Sequence, residues 1–151
     1  MTFQEIAADL DATVTKAKPL LDNLSAHETT SRRGPDKWSK KEIVGHLIDS
    51  ASNNHQRFVR AALQGHLSFP AYAQASMVQI QRYHNLDWKV LVGLWGNYNR
   101  FLAHVIHHLP ESSFAVICHI GENKPATLGW VCQDYVIHLK HHLKQIVGEH
   151  F

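Results

Sequence analysis

Cysteine is almost missing from this chain. There are two in 151 residues, Cys118 and Cys132, too few and too far apart for a zinc knuckle or a disulfide framework. No apolar run approaches the roughly 20 residues that a membrane span needs. Charge of one sign is also lacking: 15 Lys and Arg stand against 13 Asp and Glu, a net of +2, and no helix carries a basic stripe. A nucleic-acid surface is therefore not expected. The opening residues, Met1 to Asp9, place acids early and have no apolar core, unlike a signal peptide. The expectation is a soluble, reduced, cytoplasmic protein. With 44% hydrophobic and 19% charged residues, the composition is that of a folded globule. One domain over residues 1–151 is long enough to bury its own core.

What the chain has in quantity is histidine, 13 in all. The residues divide into four amphipathic helical segments. The first, about Phe3 to Leu24, repeats apolar residues at three- and four-residue steps (Phe3, Ile6, Leu10, Val14, Ala17, Leu21). Pro19 lies inside it and predicts a kink or a split. A polar linker follows from Ser25 to Lys37. The second helix opens on a capping box, Ser39 with Glu42, and runs to about Gln64 before Gly65. A long connection, Gly65 to Leu86, includes Pro70 and a short helix near Gln74 to Tyr83. Asp87 caps the third helix, which Pro110 ends. Phe114 to Pro125 reads as a short irregular or hairpin segment. Thr127 then caps a fourth helix that stops at Gly148. The pattern predicts an all-α four-helix bundle.

Metal chemistry enters through His138 and His142. Four residues is about one helical turn, so both imidazoles project from one side of the fourth helix. At about 100° per residue, His142 falls within the apolar arc of Leu128, Val131, Cys132, Tyr135, Leu139, Leu143 and Ile146. His138 borders that arc. His141 faces the polar side with Asp134 and Trp130. Such a pair is either two core-edge imidazoles satisfied by hydrogen bonds or two ligands of one ion. Spacing does not decide, because His104 and His108 share it and lie outside their helix's apolar arc, where they read as solvated. His27, His84, His119 and His150 have no partner at ligand spacing. On the second helix His46, Asp49, Ser50, Asn53 and Arg57 form one polar stripe, which lines a cleft or faces water. His55 projects nearer the apolar arc than His46, and periodicity does not choose between them. The two cysteines read as structural.

Two motifs carry a resemblance. The run Trp38 to Ser50, holding His46 and Asp49 and followed by Arg57-Phe58, is similar to the second-helix motif of the DinB/YfiT-like superfamily. Tyr135 to Ile146 resembles its closing motif, with the Trp95/Tyr98-Asn99 helix and the Phe114, Gly121 and Thr127-Leu128 segment in order between them. The resemblance covers nearly the whole chain. It implies a four-helix bundle holding one divalent metal ion, nickel or zinc, on His46, His138 and His142. Three imidazoles leave positions open, the catalytic rather than the structural pattern. It further implies enzymes that join a low-molecular-weight thiol, such as bacillithiol or mycothiol, to an electrophilic substrate. Asp49, Asn53 and Arg57 are the candidate pocket residues, since they share a helix face with His46. The alternatives are a metal-dependent hydrolase, against which the lack of an inward Glu beside the ligands counts, and a non-catalytic metal-binding stress-response protein. A homodimer pairing through Trp88, Trp130 or the 65–86 connection completes the expectations.

Overall fold

The computed structural model describes residues 1–151, apart from the side chain of His150. Four long helices dominate: α1 (Phe3–Asp22), α3 (Lys40–Gln64), α5 (Trp88–His107) and α6 (Leu128–Val147). Two short ones, α2 (Ala26–Thr30) and α4 (Gln74–Gln81), lie in the connections. Three short strands, β1 (Leu67–Phe69), β2 (Ile117–Ile120) and β3 (Ala126–Thr127), form a small sheet in the order β1-β2-β3. The helices start where their caps dictate. Thr2 with Glu5 and Ser39 with Glu42 make capping boxes, and Asp87 and Thr127 accept from the backbone of Lys89 and Trp130. None of them is long and apolar enough to cross a membrane.

Two local expectations are corrected. Pro19 does not split the first helix, which continues through it to Asp22. Proline costs one backbone hydrogen bond, but Ala17 and Leu21 are wholly buried on either side of it, and that packing holds the last turn. The linker from Ser25 to Lys37 is not all coil, because Ser25 and Glu28 form a third capping box and wind one helical turn and a half.

The bundle does not zigzag. α1 packs chiefly on α5 and α6, and α3 on the same two, so consecutive α1 and α3 sit across the diagonal. Gln4 reaches the carbonyl of His107 while Trp88 Nε1 donates to Leu21, so α1 and α5 run antiparallel. Asp9 pairs with Lys140 and Lys16 with the carbonyl of Phe151, so α1 and α6 run parallel. His46 meets His138 while Phe58 packs on Tyr135, so α3 opposes α6. The order is up, down, down, up. Two neighbouring helices pointing the same way, α3 and α5, need a connection that returns the length of the bundle. At 1.5 Å per residue that is about 35 Å, which accounts for the long 65–86 segment.

That return path lies along α3. Asn53 meets Met77, Gln81 and Tyr83 bond Asp49, and Ser39 meets His84. Gly45 makes the approach possible, because a Cβ there would lie 2.2 Å from the Tyr83 ring. At the other end β1 pairs in parallel with β2, and β2 in antiparallel with β3 across the Gly121 turn. This ties the end of α3 to the start of α6. Gly45→Ala is expected to push Tyr83 off the helix and cost about 2 kcal/mol of stability, measured by urea unfolding.

Candidate metal centre

α3 presents His46, Ser50, Asn54 and Arg57 along one side at steps of four, four and three residues. α6, running the other way, presents His142, His138, Asp134 and Val131. Where the two helices face each other, three imidazoles converge. His46 Nε2 lies 3.3 Å from His138 Nε2, and His142 Nε2 lies 3.1 Å from the same atom. All three ligand atoms are within 4.8 Å of one another. Two imidazole nitrogens bound at 2.0–2.1 Å to one tetrahedral ion stand about 3.3 Å apart. The spacing therefore fits a shared cation.

Protonation points the same way. Burial first, and then the neighbouring imidazoles, push His46 and His138 down to about 4. Burial lowers His142 as well, opposed by its hydrogen bond to Gln145. All three are neutral at pH 7, the state a cation requires. His142 Nδ1 lies 2.8 Å from Gln145 Oε1, an acceptor, so Nδ1 carries the hydrogen and Nε2 offers its lone pair. Gln145 Nε2 turns toward His141 Nε2 at 3.4 Å. The Trp38 ring covers His46, with centroids 5.0 Å apart. His46 Nδ1 is buried and has no partner.

Through His138 the trio borders one end of an open-sided cavity of about 780 Å³ between α3 and α6, flanked by Tyr72 and by the 120–127 segment. His138 reaches its wall, together with Ser50, Asn54, Arg57, Tyr72 and Asp134.

A sequence model of the DinB superfamily matches residues 9–146. The chain belongs to the DinB superfamily. A solved structure with the same fold is YfiT from Bacillus subtilis, described as a probable metal-dependent hydrolase with an unusual four-helix bundle topology. The TM-score is 0.85 at 17% identity, covering 95% of this chain and 83% of that one. No curated protein sequence matches.

Within this DinB bundle the other expected residues take different places. Arg57 lines the cavity. Asp49 is buried beside α4, where Tyr83 and Gln81 donate to its Oδ1 at 2.7 and 2.8 Å; burial raises its carboxyl against those two bonds. Asn53 donates to the Asp49 carbonyl and touches Met77, so its neighbour Asn54 is the one on the cavity wall. The face of α6 read as plain polar surface is half cavity: Asp134 and Trp130 line it, because the 120–127 segment folds over the start of the helix. Desolvation raises the Asp134 carboxyl above its ordinary range. Tyr72, Lys124 and Asn123 come from loops, which periodicity does not reach. His55 bonds Tyr98 on α5, and His104 and His108 are exposed. Trp88 is turned onto α1. Cys118 and Cys132 are buried, and burial raises both thiols.

The depressed imidazoles set a pH window. Unfolded, they bind protons near 6.5; folded, His46 and His138 refuse them until about 4. The stability of the chelator-treated protein is therefore expected to be full above about pH 6.5 and to fall as pH drops toward 4. Thermal melts across that range check it, and His46→Gln should flatten the slope.

Proposed function

We propose that this protein is a metal-dependent S-transferase that joins a low-molecular-weight thiol to an electrophilic small molecule. The observation that supports it is the convergence of His46, His138 and His142 at the end of a cavity roomy enough for two reactants. In this reading the three Nε2 atoms hold one divalent ion, nickel or zinc. Such an ion, when bound, supplies Lewis acidity that lowers the pKa of a thiol or water beside it.

The chain's own residues do the rest. Gln145 fixes the tautomer and the tilt of His142. Trp38 keeps water from His46. Asp134, one turn before His138, is placed to take the thiol proton on a carboxylate oxygen. The sulfur forms the new bond to the electrophile's carbon, and the leaving group departs with its electron pair. Asn54 and Arg57 orient the bound molecules from the α3 side.

Hydrolysis is the second reading, and Asp134 favours it, because a carboxylate on the cavity wall beside His138 is the base that activation of water calls for. Thiol dependence separates the two. Purified untagged protein is expected to hold about one nickel or zinc per chain by elemental analysis, lost in a His138→Ala/His142→Ala double variant. It should consume a thiol only when an electrophile is present, and His142→Ala should abolish this. Turnover without any thiol would replace the transferase by the hydrolase, and lack of metal after reconstitution would remove both. Gln145→Ala, which leaves the three imidazoles in place, is expected to weaken metal affinity about ten- to hundredfold, measured by competition with a chromophoric chelator.

A further inference from the structure

Arg57 brings a positive charge into the cavity wall with no acid to meet it. The residue is 9% exposed. Its two closest polar contacts, to Asn54 Oδ1 and to the Pro70 carbonyl, are both at 3.5 Å, and Nε is buried without a partner. Among the described residues no carboxylate lies within ion-pair distance of it. The rings of Phe69 and Tyr72 flank the guanidinium at 5.4 and 5.9 Å. An arginine in this setting has lost much of its hydration and gained no counter-charge, which works against folding. Of its five N–H donors two make these long contacts and Nε is enclosed, so two positions at the tip of the fork remain for something that enters the cavity.

The surroundings favour an anion. Lys124 lines the same cavity, and so does Thr127, the N-cap of α6, whose first-turn dipole is positive toward this end. The one acid on the wall, Asp134, lies nearer His138. The cavity is thus polarised, with cations at the sheet end and a carboxylate at the histidine end. His46 and Arg57 are 11 residues apart on α3, about 16 Å along the axis, so the anion and the reacting atom belong to different parts of an extended molecule.

We propose that Arg57 and Lys124 form an anion subsite that takes a carboxylate of one of the two reactants. That reactant is an extended, carboxylate-bearing small molecule whose reactive end lies beside the histidines. The identity of the reacting end rests on the transferase reading above; the subsite itself does not.

The test begins without turnover. In the ¹⁵N-labelled full chain, the Arg57 Nε–H resonance, assigned by its loss in Arg57→Lys, is followed as sodium glutarate is added at constant ionic strength. A saturable shift is expected with glutarate and not with glutaramide. Lys124→Ala should weaken it. Arg57→Met should melt no lower than the wild type, since it removes a buried charge that has no partner. A resonance unmoved by glutarate, or moved equally by glutaramide, overturns the subsite. A fall in Tm of about 8 °C in Arg57→Met would make Arg57 a structural residue and overturn it too. In the transfer assay, esterifying the carboxylate of the thiol or that of the electrophile is expected to raise KM about tenfold in wild type and not in Arg57→Met, which lacks the charge. Which ester does so names the carboxylate's owner, and indifference to both overturns the proposal. A protein that answers glutarate yet transfers no thiol would keep the subsite and lose only the transferase.

Discussion

Three neutral imidazoles sharing one point inside a bundle is the constraint on which the rest of this structure depends. His46 comes from one helix and His138 and His142 from another, so the centre exists only while α3 and α6 keep their register. Much of the nearby packing serves that register. Phe58 packs on Tyr135 one face below the histidines, and the Tyr135 hydroxyl donates to Asn99 on α5 at 2.6 Å. Buried aromatic contacts and a satisfied hydroxyl are costly to shear. Above the histidines, Arg33 reaches the carbonyl of Gln145, tying the approach to α3 to the end of α6.

The cavity follows from the same register. The residues facing it alternate between two helices that run in opposite directions, so each turn along α3 meets an earlier turn of α6. Histidines face histidines at one end, and at the other Asn54 and Arg57 face the first turn of α6 and the hairpin before it. Charge is therefore sorted along the seam by the direction of the helices, with Lys124 added from the hairpin at the Arg57 end. A reactant lying in it meets different chemistry at its two ends.

Much of this was legible in the residues. The long helices start at Ser39, Asp87 and Thr127 because an oxygen at those positions closes the first turn, and that rule is local. The fourth helix's apolar arc is buried as its periodicity predicts. The capping box at Ser25 and Glu28 was equally local, but no apolar stripe follows it to draw attention. Periodicity put Asn53 on the stripe with His46, but 100° of rotation is within its tolerance, and the return path beside α3 covers Asn53 and leaves Asn54 on the cavity wall. It also left His46 and His55 equal. Only the identity of the opposite helix separates them: α6 for the first, Tyr98 of α5 for the second. β1 is three residues long, and its pairing partner lies some 50 positions away, beyond any window of sequence.

The up-down-down-up course has a consequence for how the chain finds its shape. In a zigzag bundle each helix docks on the one just made, and short loops close at little entropic cost. Here α1 and α3, made in succession, are not neighbours, and α1 finds its partners only after α5 and α6 exist. Docking of the pieces therefore waits on the closure of long loops. In the sequence separation of its contacts this helical protein resembles a mixed α/β domain more than a zigzag bundle.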